Sequence, residues 1–445
     1  MTYREQVMAE GQNTVRSDSI ARLLRGLSIL SIVTLPFTSA FALHAWAPLN
    51  LVVMAVTALA MATLAPRQLR WKADPEDWLL VTAIFLGYVG LLFAPEYGPK
   101  TANHCLAIFT CAILYYLFAK CNIYPYLRWQ QVVNAAALMT VGSGLFVISE
   151  FILANFADVK LSQYIPYVEM QQAGSETSEA MMMGYWIRPR GFAIEAGHMA
   201  TAFELGLPLT LLASKRMKHA LRTLTLLISL AGFLLLASAA ATIAMIISSA
   251  FVVVRRRAAS QARWLILTIL LVGCLAVALS EGLRLYASDL VFTKTLEFVG
   301  LAEQEQISAM DRSQRVGAAI DIAHDFPFGL GWGTAAQLSS QGSQLVREIP
   351  FGFISLPAEF LVAGGWLSLL SLVVFFLCRI LRVGAIKTPD AEMLLLGLCS
   401  LSIHYLTMSN YWFPVLWASL GLSTVYQEQH GNSEPHARSG PALLA

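Results

Sequence analysis

Residues 188–198 read RPRGFAIEAGH, so Arg188, Arg190, Glu195 and His198 crowd the edge of an apolar run. Two guanidiniums suit a ligand with several anionic oxygens, because each presents a planar fork of donors. A glutamate and a histidine three residues apart lie on roughly one helix face. Burial and a neighbouring carboxylate tune such groups toward neutrality, as a general base requires. Ionisable groups at membrane depth are costly and mark functional sites by default. Blander readings stand beside these. Arg188 and Arg190 also fit arginines snorkelling at an interface, His198 a hydrogen-bonded core histidine, and Glu195 the ion-pair partner of one of the arginines. Glu204 lies deeper in the same run.

A second group sits in MDRSQRVGAAIDIAHDFPFGLGWGT, residues 310–334. Asp311 and Gln314 resemble a capping box, which predicts a helix starting at Arg312. Val316, Ala319, Ile320 and Ala323 continue it at helical spacing, and Pro327 ends it. Arg312 and Arg315 then share the N-terminal turn with free amides and the positive end of the helix dipole, a site for phosphate or pyrophosphate. The alternative is an interfacial helix whose arginines meet lipid headgroups. Glu359, early in a later apolar run, either faces the same cavity or belongs to a structural ion pair. Glu150 reads as reaching water and His404 as a packing histidine. GLGWG at 329–333 lacks the strand and the Lys-Ser/Thr of a phosphate loop and reads as a tight turn. HExxH, GxSxG and metal-ligand clusters are missing from the sequence, so neither a metal nor a cofactor is expected. The RRR at 255–257 is a topology signal, and nucleic acid is not an expected partner.

The elements that position these residues follow from composition. The 445 residues are 57% hydrophobic and 13% charged, with mean hydropathy +0.60. Soluble domains carry about 25% charged residues, so the chain reads as an all-α polytopic membrane protein. Net charge is +2, which favours no class of partner. The six cysteines lack CxxC spacing and read as reduced, small hydrophobes. A polar, arginine-containing stretch precedes the first apolar run and no small-residue cleavage site follows, so no cleavable signal is expected.

At about 20 apolar residues per crossing, twelve spans are expected: 26–43, 47–65, 78–94, 103–119, 131–155, 191–213, 223–238, 240–254, 264–280, 353–377, 391–408 and 412–426. The seventh and eighth are short, either a tight hairpin or one broken element. With the N-terminus inside, 21 of the 30 basic residues fall on the inner side, Lys120 and Arg379 among them as loop cations. This divides the chain into an inner tail (1–25), spans 1–5 (26–155), a first outer loop (156–190), spans 6–9 (191–280), a large outer loop (281–352), spans 10–12 (353–426) and an inner, polar C-terminal tail (427–445). Two outer loops longer than a connection needs are where function is expected.

Three stretches resemble the O-antigen ligase/polymerase superfamily of bacterial envelope glycosyltransferases. RPRGFAIE (188–195) is similar to its Arg-x-x-Gly motif opening a span, with Arg188 as the motif arginine. DRSQRVGAAIDIAHDFPFGLGWG (311–333) is similar to its arginine, amphipathic helix and Pro-x-x-Gly-x-Gly segment, and SLPAEFLVAGGWLSLL (355–370) to the span closing the large loop. The likeness covers most of residues 130–380. It implies a GT-C-like fold of about twelve transmembrane helices with a large helical periplasmic loop, in the bacterial inner membrane with both termini cytoplasmic. It also implies a metal-independent, inverting transfer from an undecaprenyl-pyrophosphate-linked oligosaccharide. Arg188, Arg190, Arg312 and Arg315 would then hold the pyrophosphate. Ligases carry a histidine at the end of the large loop; EIPFGFISLP has none. The expected activity is therefore polymerisation of repeat units, with Glu195, His198 and Glu359 as candidate bases and Glu195 first. A ligase passing finished glycan to lipid A-core is the alternative, and a flippase of the lipid-linked glycan is a third. Membrane lipids, a chain-length regulator and a flippase are the partners implied.

Overall fold

The computed structural model describes residues 19–44, 47–161, 164–167, 182–183, 186–255, 307–342, 355–408 and 410–430. These residues are mostly helical. Helix α1 covers 19–33 and is followed by α2 (Leu49–Leu64), α3 (Pro75–Gly90) and α4 (Pro99–Thr110). α4 runs on as a wider π-type helix over Cys111–Ile123. Next come α5 (Trp129–Phe156), the two-stranded hairpin β1 (Met182–Met183) and β2 (Trp186–Ile187), α6 (Ala196–Ser214), α7 (His219–Leu235) and α8 (Ala239–Arg255). The rest is α9 (Ile307–Asp325), the short α10 (Thr334–Ser340), α11 (Leu356–Ala385), α12 (Pro389–His404) and α13 (Pro414–His430).

Among the described residues, four stretches are long and apolar enough to cross a membrane: Pro75–Phe93, Pro99–Tyr126, Trp129–Phe156 and Leu356–Ala385. α2, α7 and α8 are apolar but shorter. The first expected span, 26–43, is cut short, since its helix stops at 33 in a turn before Pro36, which has no amide to continue the ladder. The short seventh and eighth spans are two separate helices, turned at Leu236–Ser238. The ninth, 264–280, lies outside the described residues.

α6 is the central helix. It packs against α5, α7, α8, α12 and α13, and nearly every one of its side chains is buried. Its ends define the ends of the bundle. At one end the loops expected to carry inner basic residues gather. The Arg70 amide donates to Asn122, Lys72 pairs with Glu428, and the Trp129 indole donates to Asp390. Here α4 and α11 run past their apolar windows, so Lys120 and Arg379 sit on helices rather than in loops. Both are buried, which corrects their reading as loop cations. Lys120 Nζ lies 2.6 Å from Asp74 and also bonds Asp77, the acids of the first turn of α3 and its cap. Arg379 Nη2 is 2.5 Å from Asp77 and 2.6 Å from the Tyr116 hydroxyl, and Arg382 pairs with Glu76 at 2.5 Å.

α11 is interrupted. Gly365 sits at φ 73° and ψ −172°, conformations open to glycine, so the carbonyls just before it lose their helical partners. Val362 and Ala363 instead accept from the amides of Leu330 and Gly331, at 2.8 and 2.9 Å. GLGWG is thus a tight turn, as its sequence predicts, with Gly329, Gly331 and Gly333 all at positive φ. A β-carbon on Gly331 would run into Leu91. Trp332 anchors the turn, fully buried with its indole N–H donating to the Ile84 carbonyl of α3 at 3.0 Å. Ala319 and Ile322 of α9 pack with Leu330 against Ala358 and Val362, fixing α9 to the first half of α11.

Candidate active site

The opening motif lies at the other end of the bundle, strung across the end of α5. Asn155 pairs with the backbone of Ile187 in both directions, at 2.7 and 3.0 Å. Glu150 accepts from the amides of Arg190 and Gly191, at 3.1 and 2.8 Å. It is buried, which corrects its reading as a glutamate reaching water. The backbone of 190–191 must turn into α6 here, and a buried carboxylate satisfies two amides that the turn strips of partners. The Tyr167 hydroxyl donates to the Gly191 carbonyl at 2.9 Å, and the Arg190 guanidinium lies 4.0 Å above the Tyr167 ring. Burial pushes the Tyr167 hydroxyl up to about 12, so the ring beneath Arg190 is a neutral phenol. Arg188 Nε donates to the Leu236 carbonyl at the end of α7, 2.6 Å away. Phe192 stacks on Phe37 at 4.1 Å between ring centroids and closes the turn beneath.

Glu195 is the residue before the first turn of α6, and its side chain is 56% exposed. No side chain caps α6; the first backbone bond is from the Met199 amide to the Glu195 carbonyl. The amides of Ala196, Gly197 and His198 therefore open the helix with its positive dipole end. The Arg188 guanidinium acts electrostatically on the Glu195 carboxylate. His198 lies behind it, buried, with Nε2 3.8 Å from the Glu195 carboxylate, a bond to the Asn410 amide and the Phe413 ring 4.3 Å away.

The candidates thus fall in three places. Arg188, Arg190, Glu195 and His198 share the entry to α6. Glu359 is half-buried in the first turn of α11, where its charge acts on Tyr411, the neighbour of Asn410. Asn410 bonds His198, and its neighbour Tyr411 is bonded to His104 at 2.5 Å. Arg312 and Arg315 belong to α9, which starts at Ile307 and not at Arg312. Asp311 is a helical residue there, so the two arginines lie one turn or more inside the helix, away from its free amides. Arg315 is 7% exposed, so it does not extend to lipid headgroups. The Arg312 side chain is outside the described residues. The helix terminus predicted at Arg312 has its counterpart at Glu195.

One partner was misread in the sequence and one escaped it. Glu150, read as reaching water, carries the same signal as Glu195, an unpaired acid near the end of an apolar run. Asn410 carries none, because an amide in a polar turn is ordinary. The chain matches no protein-family model and no curated protein.

Proposed function

We propose that the chain is an inner-membrane glycosyltransferase of about twelve spans and GT-C-like architecture. It joins undecaprenyl-pyrophosphate-linked repeat units into exopolysaccharide or O-antigen at the periplasmic face, with both termini cytoplasmic. The observation that carries this reading is the first turn of α6. Uncapped amides open beside an exposed carboxylate on which the Arg188 guanidinium acts electrostatically, backed by a buried imidazole 3.8 Å away. An open helix N-terminus with a guanidinium binds and stabilises a diphosphate leaving group without a metal. The Glu195 carboxylate takes the proton of the acceptor hydroxyl as that oxygen displaces the diphosphate from the anomeric carbon, with inversion. Arg190 is held by Tyr167 as part of the same cationic rim, and Arg312 and Arg315 of α9 are the further arginines assigned to the diphosphate. Glu359 is the second carboxylate available to the acceptor. A chain-length regulator and a flippase act alongside.

The interrupted α11 is the feature a transporter would use, since broken helices supply free carbonyls at transport sites. Leu330 and Gly331 take those carbonyls, which argues for the transferase.

The test is a strain lacking the gene, complemented with Arg188→Lys, Arg312→Lys or Glu195→Gln, each checked for membrane expression. Lysine keeps the charge and loses the fork. Single repeat units accumulating on the lipid are the expected result. Long chains stranded on undecaprenyl pyrophosphate would mean a ligase, and units trapped on the inner face a flippase. Full-length polymer from all three variants would overturn the reading.

A further inference from the structure

The segment between α12 and α13 is short and closely tied. The Leu356 amide, at the start of α11, donates to the carbonyls of Tyr405 and Met408, both at 3.0 Å. The Phe413 amide returns to the Asn410 carbonyl at 3.1 Å. The Trp417 indole of α13 donates to the Tyr411 carbonyl at 2.5 Å, and the Tyr411 hydroxyl bonds His104 of α4. Three helices thus fix the backbone on both sides of Asn410, which is itself buried. A side chain on such a turn has one set position.

What Asn410 touches is His198. Its amide nitrogen bonds Nε2 of that ring, and the Phe413 ring lies against the same imidazole, 4.3 Å between centroids. An amide nitrogen only donates, so Nε2 accepts, and the proton of the neutral ring is on Nδ1. Nδ1 has no hydrogen-bond partner among the described residues. The tautomer and the orientation of the ring therefore rest on Asn410 and Phe413.

The choice of atom matters, because Nε2 is also the atom 3.8 Å from the Glu195 carboxylate. Protonated there, the ring would be an imidazolium paired with Glu195. An opposite charge within about 4–6 Å lowers a carboxyl pKa by about 1–3 units, and a carboxylate so paired is a weaker base. With its lone pair taken by the Asn410 amide, Nε2 stays unprotonated and Glu195 keeps its basicity. Arg188 acts on Glu195, and His404, held by Glu204 at 3.0 Å, acts on His198. These are the other ionisable groups acting on the pair among the described residues.

We propose that Asn410 is a positioning residue that holds His198 as the neutral, Nδ1-protonated imidazole and so keeps Glu195 free of a cationic partner on that side. The proposal rests on the transferase reading, in which Glu195 takes the proton of the acceptor hydroxyl. Asn410 itself touches no substrate and moves no proton.

The test uses the whole protein, purified in detergent with nitrogen-15 histidine. His198 is assigned as the signal lost in His198→Gln. In the wild type its Nδ1 should be protonated and its Nε2 unprotonated throughout the pH range in which activity rises. Asn410→Asp replaces the donor with an acceptor of the same shape, so Nε2 should become protonated and the ring an imidazolium. Asn410→Leu removes the partner, and the Nε2 signal should move toward the protonated form. Turnover is measured with lipid-linked units extracted from the strain lacking the gene. Glu195 must be ionised to act, so the rate rises with pH through its pKa, and a lowered pKa moves that limb down. In Asn410→Leu the limb should move down by about one pH unit and the plateau of kcat should fall by up to about tenfold, with KM unchanged. Because the effect acts through the ring, adding Asn410→Leu to His198→Gln should change neither limb nor plateau. A residue that only packs the turn would lower the yield of folded protein and leave the tautomer and the limb in place. A wild-type His198 protonated at Nε2 would overturn the proposal. So would unchanged ring signals in folded Asn410 variants, or a shift of the limb that persists without the ring. If the wild-type protein joins no units, the transferase reading fails and the ring signals decide the positioning alone. An Nδ1-protonated ring that becomes an imidazolium in Asn410→Asp supports it, and signals shared by all forms overturn it.

Discussion

The two ends of the bundle treat buried charge in opposite ways. At the basic end Asp74, Glu76 and Asp77 meet Lys120, Arg379 and Arg382, three acids against three cations, with the Tyr116 hydroxyl in the same cluster. At the other end the acids are spread along the helices. Glu150 satisfies backbone amides, Glu204 is paired with His404, and Glu195 stays mostly in solvent. A closed cluster resists change, because moving any helix would expose an uncompensated charge. An open series leaves one carboxylate free for chemistry. The difference separates charge that holds helices together from charge that is kept available.

The sharpest way to break this comparison is to remove one member from each end. Arg379→Met leaves Asp77 buried beside a single cation and should destabilise the protein by about 3–5 kcal/mol. Glu195→Gln should change stability by no more than about 0.5 kcal/mol, as for other exposed positions, while abolishing most of the transfer. Thermal unfolding in detergent reads both. Equal stabilities would mean that the basic cluster is not the lock described, and a large loss at Glu195 would make it structural.

Glu150→Ala probes the boundary between the two kinds of charge, since Glu150 is buried yet belongs to the open end. Losing a charged acceptor for two amides should cost about 1.5–3 kcal/mol. The local consequence is more telling, because the backbone at Arg190 and Gly191 is then released from α5. Trypsin cleavage after Arg190 should become faster in the variant. Unchanged cleavage would show that Asn155 and Phe192 hold the segment without Glu150.

What could be read from the sequence follows the same division. Apolar run length was enough to find the four long apolar helices among the described residues, although not the count of twelve spans, and the glycines of GLGWG were enough to find a tight turn. The pairing of loops at the basic end agrees with the spacing of arginines and lysines. Glu195 and His198, three apart, do meet. The start of α9 was misplaced because a capping box at Asp311 and Gln314 is a local signal, and the helix extends through it. Lys120 and Arg379 looked like loop cations because the apolar windows end before them; only the acids of α3, more than 40 residues away from the nearer one, reveal their role. The break in α11 was invisible, since the Gly364 and Gly365 pair is common in membrane helices and only the docked turn of another segment fixes it.

That docked turn gives a smaller effect. Trp332→Phe keeps the ring volume near Phe360 and Tyr411 but loses the indole bond to Ile84. A loss of about 1 kcal/mol is expected in the same unfolding measurement. Amide exchange should rise at Leu330 and Gly331, whose bonds plug the break, and remain low in the Asp77 cluster. Faster exchange at both places would join the turn to the basic cluster and blur the comparison.

The smallest effect belongs to a pair at the basic end whose two members are both open to solvent. Lys72 lies 2.8 Å from Glu428, with 70% and 44% of their side chains exposed. The carboxylate of Glu428 holds the Lys72 ammonium above its ordinary value. A raised value in the folded state means that the contribution is present below the ordinary lysine pKa and disappears as pH rises through the folded value. Exposed pairs contribute about 0–1 kcal/mol and are screened by salt. Lys72→Ala should therefore leave the unfolding temperature nearly unchanged at neutral pH, and any difference should vanish in 1 M salt, where the Debye length is about 3 Å. The Arg379→Met loss should persist in the same buffer, because Arg379 and Asp77 are both fully buried and screening by salt is weak there. If salt removed both, the basic end would be an exposed network, and burial would not be what divides the two regions.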